Sequence, residues 1–212
     1  MNIHTRIPRT FIVTGFVLVV LLASALLSSC SLFDKNVSDF ASLMQGRAAT
    51  IMTFDVYAHM LDRVHGMSID IQRDTTFDST NPDGTTNSDS SVLAISIGGH
   101  NMTHVGSTLL MVQDGIVDIT GQLPNTVSLN NGEPGVPLLN YLRQQFGNLW
   151  HGTARTILIR SQNGEPIRIY GGNEVEYYAT SIPKSTLLRI DGRYLLVYRA
   201  DYTIYDNALL SR

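Results

Sequence analysis

His100 and His104, in the string GHNMTH, stand four residues apart. That spacing turns two imidazoles to one side only on a helix, where they could begin a zinc site. The preceding ISIGG predicts a strand and a turn instead, and no Glu follows His100, so the helical metalloprotease pattern fails. Both read as loop histidines. Ser107, in Gly106-Ser107-Thr108, lies close enough to His104 to pair a nucleophile with a base, yet no G-x-S-x-G elbow occurs anywhere. Serine, histidine and aspartate are plentiful, so a hydrolase with a scattered Ser/His/Asp site stays as the alternative. No residue is singled out as catalytic.

A second oxygen-rich stretch runs DSTNPDGTTNSDSS from Asp78 to Ser91. Counting from Ser79, oxygens fall at the first, third and fifth positions and Gly84 at the sixth, as a calcium loop requires. The twelfth position is Ser90, where a bidentate Glu belongs, and Pro82 interrupts the run. The stretch reads as a solvated connector, and no metal is expected. Gly98-Gly99 and Gly171-Gly172 read as turns or bulges rather than a phosphate cradle, so no cofactor is expected either. Eight of the nine tyrosines come after residue 140. Sheet preference explains most of this. A functional reading makes Tyr177, Tyr178, Tyr198 and Tyr202 an aromatic face for a glycan or an envelope protein, since phenol rings offer rigid contact with a polar tip.

The chain has a single cysteine, Cys30, so no intrachain disulfide forms and no cysteine-rich zinc site exists. It closes a distinctive amino terminus. Arg6 and Arg9 precede Phe11–Leu27, an apolar run without charge and short for a membrane-spanning helix. Leu27-Ser28-Ser29-Cys30 then resembles the lipobox of bacterial lipoprotein signal peptides: a Leu, two small residues and Cys. The resemblance implies cleavage before Cys30 and a diacylglyceryl thioether on its sulfur. The rival is an uncleaved apolar helix, and either arrangement leaves the rest outside the cytoplasm. The expected organisation is therefore a signal peptide over 1–29, a lipidated tether over 30–36 and one domain over 37–212. Charge excludes little but nucleic acid: 15 basic against 18 acidic residues, without a basic stripe.

The elements that must position any site read mainly as strands. Val37, Phe40, Ala41 and Met44 predict a short helix stopping at Gly46. TIMTFDVY, MSIDIQ, VLAISI and TLLMVQ follow as strands, with Met67, Ile69 and Ile71 placed on one face. Pro137, Leu138, Leu139, Leu142, Phe146 and Leu149 predict an amphipathic helix over 137–151. TILIRS and PIRIY then flank Gln162–Glu165, and TLLRI and RYLLVY flank Asp191-Gly192, a two-residue hairpin turn. The expected fold is mainly β (α+β), an antiparallel sandwich or barrel-like sheet with one packed helix.

Ser90–Gly115, SSVLAISIGGHNMTHVGSTLLMVQDG, with the preceding MTFDVYAHMLDRVHGMSIDIQRD, is similar to lipoproteins of Gram-positive bacteria grouped as a domain of unknown function, DUF5052. The likeness covers residues 37–205. It implies a lipid-anchored protein on the outer side of a Gram-positive cell membrane and carries no catalytic residues. Function is thus expected to be binding or interaction rather than catalysis, with the membrane as partner through Cys30.

Overall fold

In the computed structural model residues 36–37, 39–120 and 154–210 are described, and more than half of them are in strands. The apolar run 11–27, Cys30 and the helix expected over 137–151 lie outside the described residues. In chain order come β1 (Asn36–Val37), α1 (Phe40–Met44), β2 (Ala48–Phe54), β3 (Met60–Met67), β4 (Ile69–Arg73), β5 (Val92–Ile97), β6 (His100–Val105), β7 (Thr108–Gln113) and β8 (Val117–Asp118). After residue 154 follow β9 (Arg155–Arg160), β10 (Pro166–Gly172), β11 (Val175–Thr180), β12 (Ser185–Ile190), β13 (Arg193–Tyr198), β14 (Asp201–Asp206) and the single turn α2 (Asn207–Leu210). They make three open sheets of seven, four and three strands, in the orders β1-β11-β12-β13-β7-β2-β3, β14-β9-β10-β8 and β4-β5-β6. Every pairing is antiparallel except β1 with β11. The fold is sandwich-like, and among the described residues no sheet closes into a barrel.

The seven-stranded sheet lies between the other two, so its inner strands carry apolar side chains on both faces. Ile51, Leu109, Leu187 and Leu196 pack with Ile69, Ile71, Leu93 and Ile95 of the three-stranded sheet and with Phe40 and Met44 of α1. The residues that alternate with them, among them Met52, Leu110, Leu188 and Leu195, pack with Ile157, Ile159, Ile167 and Tyr170 of the four-stranded sheet. Runs such as TLLMVQ therefore show no polar alternation, because neither face meets water.

Turns follow local chemistry. Asp191 (φ 47°) and Gly192 (φ 80°) are both left-handed, the conformation of the expected type I′ hairpin between β12 and β13. Gly164 (φ 85°) turns β9 into β10. The first helix is shorter than expected: Asn36, assigned to the tether, and Val37 pair as β1 with Ala179 and Thr180, and the helix begins only at Phe40. Asp39 caps it by accepting the Ser42 N–H at 3.1 Å. MSIDIQ is not one strand either. Ser68 takes a left-handed φ of 52°, bonds Arg47 O and receives the Gly46 N–H, and bends the chain from β3 into another sheet. Met67 is consequently exposed while Ile69 and Ile71 are buried.

Gly66 sits where that layer crosses β3. A Cβ there would lie 2.3 Å from Cγ2 of Ile97, so the missing side chain is what lets β5 approach. Gly66→Ala should cost about 1–3 kcal/mol, as overpacking does. In an Ile97→Ala background the same change should cost much less, measured as a double-mutant cycle by urea melts. An equal cost in both backgrounds would rule out the clash.

Candidate functional site

The residues singled out by spacing do not converge. His100 and His104 lie on strand β6, not in a loop; His100 is exposed and His104 is buried. His104 Nε2 donates to the carbonyl of Ser107 at 2.9 Å, and its ring meets Tyr198 edge-on at 6.0 Å. The imidazole thus holds the turn into β7 through the Ser107 backbone rather than the hydroxyl. His151 lies outside the described residues.

The oxygen-rich stretch is more ordered than a solvated connector. Thr80 bridges Thr86, and the amides of Asn81 and Asn87 bond each other reciprocally at 3.0 Å. Asp83 accepts the Thr85 hydroxyl and N–H, and Asp89 accepts the Ser79 N–H and hydroxyl; these bonds hold both carboxyls below the usual range. At its base Asp78 receives Nη1 of Arg73 at 2.6 Å and the Ser90 N–H at 2.9 Å. The loop spends its carboxylates on its own backbone and hydroxyls.

Nor do the four tyrosines form one face. Tyr198 is 1% exposed inside the core, its hydroxyl donating to Ser91 O at 2.8 Å, which corrects its expected place on the surface. Tyr177 and Tyr178 are neighbours on β11 and point to opposite sides. Tyr177 is exposed, whereas Tyr178 packs beside the first cluster and donates to Glu176 at 2.9 Å. Tyr202 is on β14 of another sheet, packed beside the second cluster.

What the fold does assemble is a cleft where the seven- and four-stranded sheets part, about 240 Å³ in volume. Thr50 and Met52 of β2, Arg63 of β3 and Val112 of β7 form one wall. Asp118 of β8 with Arg168 and Tyr170 of β10 form the other, and Asp114 and Gly115 close the turn between them. The positions follow from register. Met52 lies opposite Arg63, Thr50 opposite both His65 and Val112, and Tyr170 opposite Asp118, so each set shares a face.

Arg168 is fixed within this cleft. Its guanidinium lies over the Phe54 ring at 5.2 Å, Nη1 donates to Ile167 O at 2.9 Å, and Nε is 3.8 Å from Asp118 Oδ2. Asp114 Oδ2 lies 3.0 Å from His65 Nε2. Both acids therefore face a basic partner. Two donors are left over. Among the described residues neither the exposed Arg63 guanidinium nor the hydroxyl of Tyr170, a residue 1% exposed, has a partner. Burial, reinforced by the Asp118 charge and opposed by Arg168, raises the Tyr170 phenol above its ordinary range, so it holds its proton at neutral pH.

None of these residues was singled out by sequence spacing. The one local signal is PIRIY, a charge between isoleucines on a strand that is otherwise apolar. Among the described residues no three His, Cys, Asp or Glu side chains gather as a metal site. A family model described as a domain of unknown function (DUF5052) matches residues 13–210. No curated protein and no solved structure matches the chain.

Proposed function

Taking as premise that the chain belongs to the DUF5052 family, we propose that it is a non-catalytic binding module held to the outer face of a Gram-positive cell membrane through a lipid on Cys30. The observation that carries the binding reading is the inter-sheet cleft, concave and lined by the exposed Arg63 and by Arg168, which is held over the Phe54 ring. Its walls are hydrogen-bonded strands of two sheets packed on each other, which suits recognition by a preformed site. The hydrolase alternative loses its nearest pair, since His104 is spent on the Ser107 carbonyl. Methyl NMR of Met52, in the cleft wall, should respond to a small-molecule extract of the cell envelope. Silence at Met52, or ester turnover abolished by Ser107→Ala, would reject a binding module.

The anchor is supported by the Leu27-Ser28-Ser29-Cys30 string after an apolar run. Two acyl chains hold a protein stably where one is marginal, because each buried methylene contributes about 0.8 kcal/mol. Wild-type protein should take up labelled palmitate, and Cys30→Ala should take up none and remain at precursor size. Absence of label in the wild type would sink the lipid anchor.

A further inference from the structure

The turn from β2 into β3 carries an unusual share of the exposed apolar surface. Eleven large apolar side chains are exposed among the described residues, and four of them, Val56, Tyr57, Met60 and Leu61, stand within six residues at this hairpin end. Val105 is also exposed at that end, since Gly106, Ser107 and Thr108 line one hollow with Phe54, Asp55 and Val56. The tip is held in shape. Asp55 accepts the N–H of Tyr57 at 2.9 Å and of His59 at 2.8 Å, and its other carboxylate oxygen lies 3.0 Å from His59 Nδ1. The Asp55 N–H donates back to His59 O, and Ala58 takes a left-handed φ of 64°. The one acid of the turn thus spends its carboxylate on the turn itself, while Val56 and Tyr57 face water. A clustered apolar patch of this kind marks contact with a protein or a membrane.

The anchor favours the membrane. Asn36 pairs with Ala179, and the ladder runs on through Thr186, Val197 and Leu110 to Met52, two residues short of Phe54. The chain therefore joins the seven-stranded sheet at the end from which the hairpin tip projects. Asn36 is six residues beyond Cys30, a reach of about 22 Å at full extension. Six strand spacings separate β1 from β3, about 29 Å across the sheet. A lipid on Cys30 keeps this end of the sheet close to the bilayer, with the apolar tip at its far corner.

We infer that the β2–β3 hairpin tip dips into the membrane interface, burying Val56, Tyr57, Met60 and Leu61 among lipid headgroups and upper acyl chains. This rests on the anchor proposed above and gives the domain a second point of contact. One point lets a domain swivel, whereas two fix which side it turns to the bilayer. Tyr57 suits the interface, an apolar ring with a polar end. Just past Leu61 the strand turns charged, at Asp62, Arg63 and His65, where an interfacial depth of about 5–10 Å would end.

The test uses the full chain as the cell makes it, reconstituted into vesicles of phosphatidylcholine and phosphatidylglycerol, with and without bromine on the acyl chains. Bromine quenches an indole within the bilayer and spares one outside it. Tyr57→Trp places an indole at the tip. Val117→Trp places one at an equally exposed position on β8, opposite Gly171 and away from the end where Gln162 meets Arg199. Trp150, the one native tryptophan, gives a background that the wild type measures. The Tyr57→Trp signal should lose most of its intensity in brominated vesicles and shift to the blue, and the Val117→Trp signal should do neither. Adding Val56→Ser and Leu61→Ser, both at exposed positions, should restore most of that intensity. No quenching at position 57, equal quenching at 57 and 117, or quenching unchanged by the two serines overturns the inference. A blue shift without quenching also overturns it, since the tip is then covered by protein, a second copy or another part of this chain. Labelled palmitate decides the anchor separately. Label with no quenching keeps the lipid on Cys30 and removes the tip contact. Quenching without label keeps the tip contact and transfers the attachment to the uncleaved apolar run.

Discussion

Leu109→Ala and Leu110→Ala should each destabilise the domain by about 2–5 kcal/mol, although the two residues are neighbours on one strand. In a two-layered sandwich successive side chains point to opposite faces, and one of any adjacent pair meets water. Here Leu109 belongs to the cluster shared with the three-stranded sheet and Leu110 to the cluster shared with the four-stranded sheet, both fully buried. The same holds for Leu187 with Leu188 on β12 and Leu196 with Leu195 on β13. Because each member of a pair has its own neighbours, the two losses should nearly add. A double replacement would then consume most of the roughly 5–15 kcal/mol that holds a domain of this size together. Urea melts of the four β7 and β12 single variants decide the matter. A large loss from only one member of each pair would mean that the central sheet has a wet face.

Asp78→Ala should be nearly as damaging, at about 3–5 kcal/mol, for a different reason. The Asp78 side chain is 4% exposed and its Arg73 partner 16%, so removal leaves a guanidinium largely cut off from water without its counter-charge. It also frees the Ser90 N–H, which joins the far end of the loop to its base. Arg189→Ala supplies the contrast. Its pair with Glu176 has a similar length, 2.9 Å, but the two side chains are 44% and 47% exposed. That loss should stay within about 1 kcal/mol, since water already screens the charges. Equal costs for the two variants would contradict the idea that burial, not the presence of an ion pair, sets the energy.

The parts of this architecture visible in the sequence are those specified by a few adjacent residues. Asp191-Gly192 demands two left-handed positions in a row, and the strands it joins are strongly apolar. β3, β6, β11 and β14 gave no comparable signal. β3 is an edge strand exposed along nearly its whole length, so Asp62, Arg63 and His65 stand among apolar residues with no buried face to impose a period. The break at Ser68 was hidden because its backbone conformation is imposed by bonds to Arg47 and Gly46, more than twenty residues back. The layer count was equally illegible: a run such as TLLMVQ shows that a strand is buried on both sides without showing what covers it. The cleft is non-local throughout. Arg168 and Tyr170 alternate on β10, but Arg63 comes from another sheet, and no spacing along the chain connects it to them. The tyrosine cluster misled because abundance after residue 140 reflects the number of strands there, and burial sends each ring wherever its register dictates.

The strand order also fixes what an incomplete chain can achieve. β13, at Arg193–Tyr198, is the last but one of the described strands in chain order, yet it is the middle strand of the seven, bonded to β12 on one side and β7 on the other. The hairpins β2–β3 and β5–β6 close between near neighbours in sequence, but Leu110 waits for Leu195 and Val197 to arrive. Pairings this distant make folding slow, milliseconds to seconds rather than microseconds. A nascent chain cut short before Arg193 would therefore lose more than a fringe. It would hold two half-sheets with nothing to join them, each presenting an unprotected edge to the other and to every similar chain nearby.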